Sequence, residues 1–137
     1  MNIRKITPDK EKAKNLLNNA EIFLKTLELI RGKTEAAALI NLEYDLLHNI
    51  TGALLAYDGE KVEGEEHHKN MIIRVSEKYN LSKAQMAVFD ELRKIRNDIN
   101  YYGQKDKETL EDYYRRNKET IAMIREMLLI NIKEKLR

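Results

Sequence analysis

The sequence predicts an all-α protein, an up-and-down four-helix bundle with one additional short helix. Apolar residues recur at spacings of three and four almost throughout, the period of a single helical face. Alternating runs rich in Val, Ile and Thr, which would mark strands, are absent. Of the five glycines, Gly32, Gly59, Gly64 and Gly103 fall where a helix would stop or turn, and only Gly52 falls inside an element. A chain of 137 residues fits one domain, 1–137.

Taken in order, Thr7-Pro8-Asp9 reads as a helix start, with Thr7 as N-cap, Pro8 at the first helical position and Asp9 near the positive end of the dipole. The stripe Ala13, Leu16, Leu17, Ala20, Phe23, Leu24, Leu27 and Ile30 follows, and Gly32 ends it. A second helix, from about Glu35 to Tyr57, is apolar almost all round and is expected to be the central, most buried one. Asp58 to Glu66 has two glycines and a single apolar residue, Val62, and reads as a loop. A short third helix carries Met71, Ile72, Val75 and Tyr79 on one face and stops at Asn80. Ser82-Lys83-Ala84-Gln85 has capping-box form and opens a fourth, with the stripe Val88, Phe89, Leu92, Ile95, Ile99. After Tyr101-Tyr102-Gly103 and a charged connector, a last helix runs from about Lys107 to the C-terminus, with Leu110, Tyr113, Tyr114, Ile121, Ile124 and Leu128 inward.

Composition narrows the function. Lys and Arg number 25 against 23 for Asp and Glu, a net charge of +2, which excludes a uniformly basic nucleic-acid coat but not a local basic patch. Zero cysteines remove disulfides, thiolate zinc sites and cysteine nucleophiles together, and fit a reducing compartment, so a cytoplasmic protein is expected. The longest aliphatic run, Ala36 to Ile40, is far short of the ~20 residues a membrane helix needs, and the N-terminal stretch has no signal-like apolar segment. The expectation is an unprocessed, soluble protein without membrane contact. No glycine-rich phosphate loop, nucleophile elbow or calcium loop is present, and no cofactor is expected.

Two places carry chemistry. Arg96 lies four residues after Leu92 and three before Ile99, inside the apolar stripe, so it must be paired, snorkel or serve a site. Helical spacing puts Asn100 on its face and makes Asn97 and Tyr101 the next pair round. Arg96, Asn97, Asn100, Tyr101 and Tyr102 together suit a phosphodiester, because the guanidinium fork matches phosphate oxygens and a tyrosine stacks on a base. The structural alternative is that Arg96 ties its helix to an acidic group on a neighbour, while Asn100 and Gly103 end it. The second place is Glu65-Glu66-His67-His68 at the start of the third helix. Adjacent histidines point about 100° apart, which is not the spacing of a zinc pair, and no third nitrogen ligand has a recognisable spacing, so no metal is expected. His48, among Leu46, Leu47 and Ile50, reads as a packed core histidine.

LRKIRNDINYYG at the end of the fourth helix, with Val62-Glu63-Gly64-Glu65-Glu66-His67-His68 leading into the third, resembles the HEPN superfamily of small helical bundles. The likeness follows the helix order over nearly the whole chain, and about a dozen residues carry it specifically. It implies a homodimer in which two arginine motifs face each other across a cleft. Active members are metal-independent ribonucleases, and others are inactive binding partners, often paired with a small nucleotidyltransferase in toxin–antitoxin modules. Arg96 matches the motif arginine and Asn97 the polar residue after it. The family histidine is missing, with Asn100 or Tyr101 in its place. An asparagine cannot exchange a proton at neutral pH, and an unperturbed tyrosine is a poor base.

Three readings follow. In the first, a catalytically weak or inactive dimer binds RNA, a nucleotide or a partner protein through Arg96, Asn97, Asn100 and Tyr101. In the second, a ribonuclease uses His67 or His68 as the missing proton carrier, with Arg96 stabilising the phosphorane. In the third, the protein is the partner of a nucleotidyltransferase, with Tyr101 or Tyr102 accepting an adenylyl group.

Overall fold

The computed structural model describes residues 1–103 and 106–137, and of Tyr102 the backbone alone. The protein is mostly helical, with one small two-stranded sheet. Strand β1 (Asn2–Lys5) precedes helices α1 (Lys10–Ile30) and α2 (Ala36–Asp58). Strand β2 (Glu60–Glu63) leads to α3 (His67–Lys78) and α4 (Lys83–Asn97), and α4 passes through a π turn (Asp98–Tyr102) before α5 (Lys107–Lys135). Among the described residues no helix is long and apolar enough to cross a membrane.

The first helix starts two residues later than its sequence signals predict. Asp9, not Thr7, is the N-cap, its carboxylate accepting from the Lys12 amide at 2.9 Å. Residues 6 to 9 are held instead by α2, because the Ile6 amide donates to the Gly59 carbonyl at 2.8 Å and the Asp9 amide to Ala56 at 2.9 Å. Gly59 is a left-handed cap with φ +67°, and a Cβ there would stand 2.5 Å from the Ile6 carbonyl oxygen. Only glycine satisfies both conditions.

The stretch expected as a loop, Asp58 to Glu66, contains β2, which pairs antiparallel with β1 so that Ile3 lies opposite Val62. Each strand has four residues, too few to show a period-two pattern. Val62 is buried and Ile3 packs against the core, while Arg4 and Glu63 pair outside at 2.8 Å.

Helix α2 is the hub, as its almost wholly apolar surface predicts, and packs against α1, α3, α4 and α5. Ile40, Leu46, Leu47, Ile50 and Leu54 are fully buried against Leu27, Phe89, Leu92, Ile121, Ile124, Leu128 and Ile132. One carboxylate lies in this core. Glu43 accepts from Arg125 Nη1 at 2.6 Å and from the Tyr114 hydroxyl at 3.0 Å. Burial pushes Glu43 up despite Arg125 and Tyr114, and burial beside Glu43 pushes Tyr114 up to about 12.

The third and fourth helices follow their sequence signals. Asn80 adopts φ +62°, and the Leu81 amide donates back to the Ser76 carbonyl at 2.9 Å, closing α3. Ser82 and Gln85 form the reciprocal capping box, at 3.0 and 2.9 Å, that opens α4.

Candidate functional site: a cationic cavity between three helices

Arg96 sits near the end of α4 and its side chain is 23% exposed. Its Nη2 donates to Asp45 Oδ1 of α2 at 3.1 Å, and its guanidinium lies 5.3 Å from the centre of the Tyr44 ring. Its Nε is buried with no hydrogen-bond partner among the described residues. The guanidinium is therefore anchored on one side and unsatisfied on another. The pairing foreseen between Arg96 and an acidic neighbour is present, and a cavity opens beside it.

That cavity has a volume of about 270 Å³ and is walled by Tyr44, Asp45 and His48 of α2, His68 of α3, Arg93, Arg96 and Asn97 of α4, and Tyr101 of the π turn. Arg93 is one helical turn before Arg96, held by Asp90 at 2.9 Å. A second guanidinium thus reaches the same wall. Tyr101 stands at the lip, 70% exposed.

The histidines come together here. The His48 and His68 rings are 5.0 Å apart, His67 and His68 are 4.0 Å apart, and His48 stacks on Tyr44 at 5.8 Å. His48, expected in the core, is only partly buried and faces the cavity, because α2 turns its one polar strip of Tyr44, Asp45 and His48 toward the ends of α3 and α4. Burial pushes His48 down, with Arg96 and His67 adding to the effect and Asp45 opposing it. Burial also lowers His68, assisted by His67, His48, Arg93 and Arg96. Tyr44 is pushed up by burial, although both arginines pull it back, so it stays a neutral hydroxyl.

Of the residues expected from sequence, the cavity brings together Arg96, Asn97, Tyr101 and His68. His67 lies tilted against His68 but does not line the cavity, and its Nδ1–H donates to the Gly64 carbonyl at 3.0 Å. Asn100 is exposed and outside the wall, which corrects the expectation that it shares Arg96's working face. The expectation assumed α-helical spacing, whereas Asp98–Tyr102 is a π turn closed by the Gly103 amide on the Asp98 carbonyl at 2.8 Å. Five residues then span the hydrogen-bonded turn instead of four, so it is Tyr101 that reaches the cavity. The Tyr102 side chain lies outside the described residues.

Tyr44, Asp45, His48 and Arg93 were not singled out for the site from sequence. Their signal was present in part. Tyr44 and His48 are one turn apart in a helix that is mostly apolar, with Asp45 beside them, while Arg93 repeats Arg96 at the i, i+3 spacing.

A larger cavity of about 530 Å³ lies between α4 and α5, but Glu91, Glu108 and Asp112 outnumber Arg116 on its wall and repel an anion. The smaller cavity has two guanidiniums, two imidazoles and one carboxylate. Guanidiniums in such a place can hold an anion, and the rings around them can take a planar group. Among the described residues no group of three or more His, Asp or Glu side chains is placed to hold a metal ion. Compared with known proteins, the chain matches no family model, no curated sequence and no solved structure.

Proposed function

We propose that the protein binds single-stranded RNA, taking one phosphodiester into the cavity against Arg93 and Arg96 and stacking the adjoining base on Tyr101. The observation that carries this is the convergence of both guanidiniums, Asn97 and the exposed Tyr101 on one 270 Å³ cavity. Guanidinium forks suit phosphate oxygens, and an exposed aromatic ring suits an unpaired base. In this reading the chain is a HEPN-like up-and-down bundle and works as a homodimer, with the Arg96 motifs facing across a shared cleft.

A second reading, ribonuclease activity, is favoured by one further observation, the presence of His48 and His68 on the same wall as Arg96. One neutral imidazole would take the proton of the ribose 2′-hydroxyl as its oxygen attacks phosphorus. The other, protonated, would give its proton to the departing 5′-oxygen, leaving a 2′,3′-cyclic phosphate and a 5′-hydroxyl. His48 replaces His67 as the partner of His68 in this version.

One experiment addresses both readings. Anisotropy titration with a short unstructured RNA is expected to give binding that Arg96→Ala weakens at least tenfold, while Arg116→Ala, on a face paired with Asp112, changes little. Equal affinity of the two variants would overturn the assignment of the site. Incubation of the same RNA in chelator tests turnover, where products lost in a His48→Ala, His68→Ala double variant establish the nuclease and intact RNA establishes the binder.

A further inference from the structure

The chain has three histidines, and all three are in one contiguous cluster of tilted rings: His48 against His68 at 5.0 Å, and His68 against His67 at 4.0 Å. Histidine and the α-amino group are the groups that ordinarily titrate between pH 6 and 8. Two of the three, His48 and His68, are on the wall of the cationic cavity.

The charges facing this stack are unbalanced. From α4, Arg96 acts on both His48 and His68, and Arg93 on His68. From α3, His67 lies against His68. From α2, Tyr44 stacks on His48 as a neutral ring, and Asp45 is the one carboxylate on the cavity wall. Asp90 of α4 is taken up by Arg93 and Lys94. With no anion present, a further positive charge on His68 is opposed by both guanidiniums and the other two imidazoles, and one on His48 by Arg96 and His67 against the support of Asp45. The lowered pKa values of His48 and His68 accord with this geometry.

Resting on the RNA-binding reading above, we infer that the cavity takes up a phosphodiester and a proton together: the His48–His68 pair is neutral in the empty cavity and gains positive charge when the anion enters. The anion supplies the negative charge that the wall lacks, so each favours the other. By linkage the coupling is reciprocal: if the ligand favours the protonated pair, protons favour the ligand. The protein holds RNA more tightly in acid and releases it as pH rises. The sign follows from direction alone, since a group whose pKa is higher in the complex than in the free protein takes up a proton on binding.

The test uses a 2′-O-methyl-uridine oligomer, which cannot be cleaved by 2′-hydroxyl attack and does not itself titrate between pH 6 and 7.5. Wild-type protein is expected to bind it about tenfold more tightly at pH 6 than at pH 7.5, the equivalent of about one pKa unit of coupling. Calorimetry in two buffers of different ionisation enthalpy is expected to show net proton uptake on binding, on average about 0.7 proton over this range, the slope of a tenfold change across 1.5 pH units. His68→Gln, at an exposed position, and His48→Gln, checked for folding by a melt, are each expected to flatten the pH dependence. Binding that is equally tight at both pH values and takes up no proton overturns the inference and leaves the RNA-binding reading standing. Retention of the full pH dependence in both variants also overturns it. Absence of binding at every pH overturns the reading and the inference together.

Discussion

At the scale of single residues, Asp45 has two effects on the site. It fixes the Arg96 guanidinium through a 3.1 Å contact and places a negative charge where an incoming phosphate would sit. Because Asp45 is 41% exposed and Arg96 23%, the pair contributes little to stability, about 0–1 kcal/mol. Asp45→Asn is therefore expected to leave urea denaturation almost unchanged and to tighten RNA binding about threefold at low salt and pH 7.5, as a like-charge contact with phosphate is removed. Weaker binding would show that orienting Arg96 outweighs the repulsion. Arg96 itself was legible in the sequence, since an arginine inside an apolar stripe breaks the pattern. His48 was not, because its chain neighbours are apolar and its access to a cavity depends on where α3 and α4 end, which no local pattern encodes. Asn100 was misplaced for another reason: spacing arguments assume 3.6 residues per turn, and the π turn departs from that just where the site lies.

At the scale of elements, the helices were legible and the ribbon was not. Capping box, apolar stripes and the Asn80 stop each left several consistent residues to read, whereas β1 and β2 contribute only Ile3 and Val62 to the core. The glycines around the ribbon allow a sharp comparison. Gly59 and Gly64 both have positive φ, +67° and +107°. An added Cβ at Gly59 would meet the Ile6 carbonyl at 2.5 Å and Pro8 at 3.0 Å, while at Gly64 it would meet nothing within 4 Å. Gly64→Ala is thus expected to cost about 1–2 kcal/mol for the left-handed backbone alone. Gly59→Ala is expected to cost clearly more, by displacing β1 and the start of α1 as well. Equal midpoints in urea for the two variants would show that the β1 connection yields freely.

At the scale of the whole molecule, a polar corner joins the ends of α2, α3 and α5 to β2. Glu60, only 4% exposed, accepts from Arg74 at 2.7 Å and from Lys78 at 3.0 Å. Asp58 pairs with Lys78 at 3.0 Å and Lys135 at 3.3 Å and accepts from the Tyr79 hydroxyl. The Arg74 guanidinium, outweighing burial and helped by Lys78, holds Glu60 at about 2 against an ordinary 4.5. Burial alone would raise Asp58, but Tyr79 and Lys78, with Lys135, hold it below its usual value. A depressed carboxylate stabilises the fold fully above its unfolded pKa, and that contribution drains away as pH falls through the folded value. For Glu60 the window is pH 4.5 down to about 2, and the contribution at neutral pH is at most about 3 kcal/mol, reduced because Arg74 and Lys78 are each 31% exposed. Glu60→Gln is expected to be less stable than wild type at pH 7 and to lose less stability between pH 4.5 and 2. Parallel acid limbs in thermal melts would place the acid sensitivity elsewhere.

Helix α2 carries Glu43, Leu46, Leu47 and Ile50 inward and Tyr44, Asp45 and His48 toward the cavity, so neighbouring positions along it answer to the core and to the site in turn. Buried positions that touch Arg125, Tyr114 and four other helices tolerate few replacements. His68 at the start of α3 and Tyr101 in the π turn, both exposed, carry no such obligation. Diversification toward a new ligand therefore has an easy route and a hard one. On α2 the buried Tyr44 is committed by the fold, and changes of preference would accumulate at Asp45, His68 and Tyr101, where a substitution alters recognition without unsettling the interior.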